Sequence, residues 1–175
     1  PTVWAWRPGR AKHISKFLDH LFTLFPFESP YFVKHGLPTT FIGHPLADQP
    51  EGNDKNYRDA FGIDEDAKVI SVLPGSRPGE IKRLLPTFKK TLDLLVRKYP
   101  GIHITIPTVD SVEHLLRAET EEWEIPVSII TDSNMRLNAF AASCVALAAS
   151  GTVTLELALA KVPSVIAYKV NPLSA

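Results

Sequence analysis

The chain has 175 residues, 45% of them hydrophobic and 22% charged, with 19 Lys+Arg balanced by 19 Asp+Glu. That length allows one full domain, or one domain plus part of another, and the mixture predicts an ordinary globular fold. Balanced charge gives no whole-chain argument for a nucleic-acid partner. The single cysteine, Cys144, excludes an intrachain disulfide and a cysteine-based zinc site. No apolar run is long enough to cross a bilayer.

In chain order, Thr2-Val3-Trp4-Ala5-Trp6 reads as the end of a strand, and Ile14, Phe17, Leu18 and Leu21 mark a helix over about 9–19. The run "HLFTLFPFE" predicts a strand ending in a proline turn. Residues 28–35 read as helical, and Thr40–Ile42 as a short strand entering Gly43-His44-Pro45. This part is expected to be the tail of a preceding αβ domain. A polar stretch, Asp48 to Asp54, resembles a linker, and Asn53 or Asp54 can cap a helix running to about 61.

From residue 67 the rhythm is regular. Strands are expected at Val69–Leu73, Ile102–Ile106, Val127–Ile130, Val145–Ala149 and Ser164–Tyr168. They are short and read as apolar rather than alternating, as expected for strands buried on both faces. Leu85, Phe88, Leu92, Leu95 and Val96 form one face of a helix with Lys89, Lys90, Asp93 and Arg97 opposite. Pro86 suits a first turn, so residues 79–84 are expected to form a separate short turn or helix. Further helices are expected near 111–120, 134–142 and 153–160. Strands alternating with helices predict a Rossmann-like parallel sheet covered on both faces. Cys144, inside an apolar run, is expected to pack as a small core residue. The chain runs from Pro1 to Asn171-Pro172-Leu173-Ser174-Ala175, just past a strand pattern, and is expected to be an internal piece of a longer protein.

The stretch "LPGSR" ends the first strand of that sheet. Ligands of open parallel sheets bind beyond the carboxyl ends of the strands. A Gly turn leading into a helix presents backbone N–H groups and the positive helix end to an anion. Gly75 makes the turn, Ser76 offers a hydroxyl and Arg77 a bidentate guanidinium. Two readings are open, a phosphate site or an ordinary βα loop with a surface arginine. The spacing fits neither a P-loop nor a nucleophile elbow.

A second strand–turn–helix follows in "AASGTVTLELALAKVPSV", with Ser150-Gly151-Thr152 as the turn. Glu156, about one turn in, is the lone charge between Ala139 and Ala160. It either marks a solvated stripe or, as the near absence of other polar residues on that helix favours, accepts hydrogen bonds from ribose hydroxyls. Two anion loops and one acid suggest a nucleoside diphosphate. Neither loop matches the G-x-G-x-x-G of NAD or FAD sites, and the six His residues are scattered without metal-ligand spacing. "WAWRPGRAKHISK" holds Arg7, Arg10, Lys12 and Lys16 with two Trp and no acid. It reads as a solvated helix face, or alternatively as contact with phosphate or an anionic membrane surface.

The segments "VWAWRPGR", "LFPFE", "FIGHPLAD", "LPGSRPGEI", "ASGTVTLELAL" and "PSVIAYKVNPL" stand in the order and at about the spacing of the lipid-A-disaccharide synthase family, which the chain resembles over nearly its whole length. The resemblance implies a GT-B fold, two Rossmann-like domains. Residues 1–45 would end the N-terminal, acceptor-side domain and residues 46–175 would form most of the C-terminal, UDP-sugar-binding domain. It also implies an inverting glycosyltransferase joining UDP-2,3-diacylglucosamine to 2,3-diacylglucosamine 1-phosphate, with UDP released and no cofactor. Gly75, Ser76 and Arg77 would hold the diphosphate together with Ser150, Gly151 and Thr152, and Glu156 the ribose. His44 would be a cleft residue. The base that deprotonates the acceptor hydroxyl is expected in the N-terminal region outside this chain. The implied setting is peripheral, on the cytoplasmic face of the inner membrane. Rival readings are another UDP-GlcNAc-using GT-B enzyme, such as a peptidoglycan N-acetylglucosaminyltransferase or a UDP-GlcNAc 2-epimerase, and a nucleotide-binding module without turnover.

Overall fold

A computed structural model describes residues 3–169. The chain divides into two compact units, Pro1–Gln49 and Pro50–Ala175. Thr2 and the stretch from Asn171 lie outside the described residues. The expected opening strand is absent: Val3–Trp6 is a turn, and Arg7 after it takes a left-handed φ of 56° that ends any extended run.

In the first unit, α1 (Gly9–Ile14) is shorter than the expected 9–19. The Ser15 hydroxyl turns back onto the Lys12 carbonyl at 3.0 Å, the local competition by which serine ends helices. Then β1 (Leu21–Thr23), α2 (Ser29–Val33) and β2 (Thr39–Phe41) form a parallel β–α–β unit, with Leu21 opposite Thr39. Val3, Ala11, Phe32 and Leu37 make its core. The acid of "LFPFE" has a structural task. Glu28 is 7% exposed, and its Oε2 accepts the N–H groups of Leu24 and Phe25 at 3.1 Å each.

The second unit starts with a strap. Gly52 lies so close to the Leu137 carbonyl that a Cβ would overlap it. The Asn53 N–H donates to Asn138 Oδ1 at 2.8 Å, and the Asn53 side chain caps α3 (Asp54–Phe61) by accepting the Asn56 N–H at 3.0 Å. Five strands follow: β3 (Val69–Leu73), β4 (His103–Pro107), β5 (Val127–Ile130), β6 (Ser143–Ala149) and β7 (Ser164–Ala167). All pair in parallel, in the order β5-β4-β3-β6-β7. Between them run α4 (Pro78–Lys98), α5 (Asp110–Thr120), α6 (Ser133–Ala142) and α7 (Val153–Leu159). Ile70, Val72, Ile104 and Ile106 pack under α4 and α5. On the opposite face, Val69 packs with Tyr57 and Ala139, and Leu73 with Phe140 and Leu157. Every residue of β3 is buried, as its mainly apolar run predicts. The expectation of burial on both faces fails at the sheet edges, where β5 buries only alternate residues and β7 is largely exposed, because each has a neighbour on one side only.

Two expectations fail here for identifiable reasons. The separate turn at 79–84 is absent, because α4 is continuous from Pro78, with Pro86 inside it. An interior proline costs about 3 kcal/mol, but Ile81, Leu84, Leu85, Phe88 and Leu92 are all buried on this helix. Each such burial contributes about 1.5–3 kcal/mol, which outweighs that cost. Cys144 is exposed rather than in the core. Val69 pairs with Ser143 and Ile70 with Val145, so Cys144 is the extra residue of a bulge and is turned out of the ladder.

One row of the sheet is polar. Ser71, Thr105 and Ser128 lie side by side on β3, β4 and β5, and His103 Nε2 lies 2.8 Å from Ser128 Oγ. Burial pushes His103 below the ordinary histidine value of 6.5. The folded state therefore binds that proton less readily than the unfolded chain. Stability is full above the unfolded value and falls as pH drops through 6.5 toward the depressed folded one. Urea midpoints measured from pH 8 to pH 5.5 should decline for the wild type, and His103→Gln should flatten the decline above pH 6.

Candidate nucleotide-type site at the sheet switch point

The chain runs outward from β3 to β4 and β5, then returns to the other side of β3 as β6. Ligand crevices of open parallel sheets form at such a reversal, beyond the carboxyl ends of the two strands. A cavity of about 300 Å³ lies there, walled by the loops after β3, β4 and β6. The sequence-assigned Gly75, Ser76, Arg77, Ser150, Gly151, Thr152 and Glu156 all line it.

The loop after β3 takes its shape from Gly75 and Glu80. Gly75 has a φ of 122°, and a Cβ there would stand 2.6 Å from the Cβ of Glu80. Both the backbone angle and the close approach require glycine. Pro78 occupies the first position of α4, where its missing N–H costs nothing. Glu80 folds back over the loop. Its Oε2 accepts the Ser76 N–H at 3.2 Å, and its Oε1 accepts from Arg77 Nη1 at 2.9 Å. The Arg77 side chain is 80% exposed.

The loop after β6 is a short turn. The Ser150 N–H donates to the Ala167 carbonyl at 3.3 Å, and the Thr154 hydroxyl donates to the Gly151 carbonyl at 2.8 Å. Thr152 stands at the cap of α7 without a side-chain cap bond. Glu156 is not on a solvated stripe. Its side chain is 13% exposed, and its Oε2 lies 3.4 Å from Nε of Arg136, itself 26% exposed. Neither of those two atoms makes a hydrogen bond, and both are shielded from solvent. The pair is thus an ion contact without directional bonding.

Besides Glu80, two contributors escaped the sequence reading. Arg136 is the one charged residue of α6, the same signal that singled out Glu156. Thr108, after β4, is 9% exposed, with its Oγ1 buried and unbonded. Nothing in its short loop, Thr108-Val109, distinguishes it in sequence. His44 lies in the first unit and is not part of the cavity lining. Its Nδ1 accepts the Leu46 N–H at 3.2 Å, capping a 3-10 turn over Pro45–Asp48, and its ring sits 5.5 Å from that of Phe25. Among the described residues, no cluster of His, Cys, Asp and Glu is arranged to hold a metal ion.

Solved structures with this architecture place it in a class. The UDP-GlcNAc 2-epimerase from Neisseria meningitidis, solved with UDP-GlcNAc, superposes with a TM-score of 0.64 at 15% identity, over 87% of this chain and 45% of that one. A glycosyl transferase family 9 protein from Veillonella parvula does so with a TM-score of 0.55 at 14% identity, over 94% and 61%. The fold is the parallel α/β domain of GT-B-type proteins. The lipid-A-disaccharide synthetase family model matches residues 1–175, and the chain belongs to that family. It is 50% identical over 176 residues to the lipid-A-disaccharide synthase of Rhodospirillum centenum, covering 99% of this chain and 44% of that protein. The synthase of Paramagnetospirillum magneticum is 43% identical, with 100% and 45% covered. The chain thus spans a little under half the length of these relatives.

Gly75→Ala should disrupt the β3–α4 loop, since the new methyl group meets Glu80 and an unfavourable φ together. A loss of about 1–3 kcal/mol in stability is expected, read as a lower urea midpoint. Glycine-like tolerance of alanine at this position would mean that the loop is not built around Glu80.

Proposed function

We propose that the full-length protein is an inverting glycosyltransferase that joins UDP-2,3-diacylglucosamine to 2,3-diacylglucosamine 1-phosphate, yielding the β-1,6-linked disaccharide 1-phosphate of lipid A and UDP. The observation that carries the reading is a switch-point cavity with a glycine turn, arginines and a shielded glutamate in a chain of the lipid-A-disaccharide synthase family. In this reading the first unit ends the acceptor-side domain and the second is the donor-side domain. UDP lies across the carboxyl ends of β3 and β6.

Each residue then has a task. Gly75 and Ser76 bring main chain close to the diphosphate, with Ser150, Gly151 and Thr152 on its other side. Arg77 and Arg136 offset its charge. Attack by the acceptor 6-hydroxyl on the anomeric carbon expels UDP, so negative charge grows on the leaving phosphate. Donors fixed at that position lower the barrier more than they strengthen ground-state binding. Glu156 accepts from the ribose hydroxyls, held in place by Arg136. The general base belongs to the acceptor-side domain, and no residue of this chain takes that role. No cofactor or metal enters this scheme.

The acceptor and donor carry acyl chains, so the enzyme is expected to work at a membrane surface, on the cytoplasmic face of the inner membrane. No helix among the described residues is long and apolar enough to cross a bilayer. Residues 4–16 suit peripheral contact. Trp4 and Trp6 are 43% and 69% exposed, the Arg7 guanidinium sits 4.6 Å from the Trp6 ring centre, and Arg10, Lys12 and Lys16 are exposed.

Two measurements on the full-length protein test these roles. Glu156→Ala should weaken UDP by roughly 10- to 100-fold, the value of a hydrogen bond to a charged group. It should not weaken pyrophosphate, because Arg136 is then released for the anion. Equal weakening of both ligands would remove Glu156 from the ribose. Replacing Arg10, Lys12 and Lys16 with Ser should reduce binding to anionic vesicles, and the wild-type binding should fall with added salt. Binding unchanged by the substitutions would remove this face from membrane contact.

A further inference from the structure

Glu80 has no task in that reading, yet it holds the donors that the reading gives to a phosphate. Its carboxylate accepts the Ser76 N–H and a guanidinium N–H of Arg77, and it packs directly on Gly75. An ordinary capping glutamate at the third helical position bonds the N–H of the N-cap residue. Here the N-cap is Arg77, and Glu80 passes it to reach Ser76, one residue further into the loop. Its carboxylate therefore stands on the cavity side of the loop, as an anion placed on an anion's donors.

A second observation in the same cavity points the same way. Arg136 Nε and Glu156 Oε2 are shielded from solvent and make no hydrogen bond, a costly state for charged groups. A nucleoside diphosphate seated beside the pair offers Arg136 an acceptor and brings ribose hydroxyls to Glu156. As it stands, each of these cavity arginines faces a carboxylate, Arg77 with Glu80 and Arg136 with Glu156. The wall presents little net positive charge, and a diphosphate gains these arginines by exchange.

We propose that Glu80 is a built-in competitor for the diphosphate subsite: it occupies the Ser76 N–H and Arg77 in the nucleotide-free protein, gives them up to the phosphate, and reclaims them to help expel UDP after transfer. The proposal rests on the reading of this cavity as the UDP site. Its chemical logic is turnover. A site with unopposed donors would hold the product tightly, and release of product limits many enzymes. A carboxylate within reach of the same donors keeps the exchange near balance. Glutamine is the informative replacement, because it can still accept the Ser76 N–H while carrying no charge.

The test uses the full-length protein with uridine, inorganic pyrophosphate and UDP in calorimetric titrations, and stopped-flow displacement for UDP release. In Glu80→Gln, pyrophosphate and UDP should bind about three- to tenfold more tightly, the scale of one lost exposed ion pair plus one lost like-charge contact. UDP release should slow by a similar factor, and uridine affinity should stay the same. A folded Glu80→Gln that binds pyrophosphate no more tightly, with release unchanged, would make Glu80 a cap only and overturn the proposal. Should that variant not fold, the wild type still decides. Saturating pyrophosphate should shift both the Ser76 amide and the Glu80 side-chain carboxyl carbon in NMR spectra. A moved Ser76 amide with an unmoved Glu80 carboxyl sinks the exchange alone. If neither moves while UDP binds elsewhere, the cavity reading fails and the proposal fails with it.

Discussion

The reversal of strand order at β3 is the constraint on which the rest of the second unit depends. Once β6 returns to the free side of β3, the loops after these two strands diverge to opposite faces of the sheet and cannot close over its edge. The crevice left between them is a consequence of right-handed crossovers on both sides. It needs no residue dedicated to making it. What the sequence adds is chemistry at the rim. A glycine lets main chain come close, and arginines paired with glutamates line a cavity of about 300 Å³.

That electrostatic arrangement also bears on stability. Removing either member of a shielded pair leaves its partner uncompensated, and this costs more than the pair contributes. Arg136 and Glu156 are both largely withdrawn from water, so each keeps the other in place. Arg77 is different. It is 80% exposed, and its ion pair with Glu80 contributes little to folding. The cavity thus has one arginine tied into the fold and another held loosely over its mouth.

Much of the sheet was legible because its central strands, β3 and β4, are buried on both faces. Val69–Leu73 and Val127–Ile130 read as mainly apolar runs, each with one serine, and appear with those limits. Glycine and polar punctuation placed the loops that wall the cavity. Two of the failures share a cause: each was settled by tertiary packing that local pattern does not carry. Pro86 reads as a helix start, yet its helix is anchored on both sides of it by buried Leu84, Leu85 and Phe88. Cys144 sits in an apolar run, but a register shift between neighbouring strands turns it out. The short elements of the first unit were found, with limits off by one to several residues, because a three-residue strand such as Leu21–Thr23 leaves almost no periodicity to read.

For the site, the sequence revealed most of the parts that sit in loops, together with Glu156 on α7, and concealed Thr108 after β4 and two charges that reach in from α4 and α6. Gly75, Ser76, Arg77 and the turn at Ser150-Gly151-Thr152 announce themselves by composition. Arg136 and Glu80 do not, because a charged residue on a helix is usually solvated. Their meaning depends on which way each helix face is turned, and that is decided by the apolar residues beside them. Ala139, Phe140 and Ala142 pack α6 against the sheet, and Arg136 is thereby carried to the carboxyl end of β6. Ile81, Leu84 and Leu85 do the same for α4, and this brings Glu80 back over Gly75. The hydrophobic core, which holds no chemistry of its own, therefore selects which charges meet in the cavity.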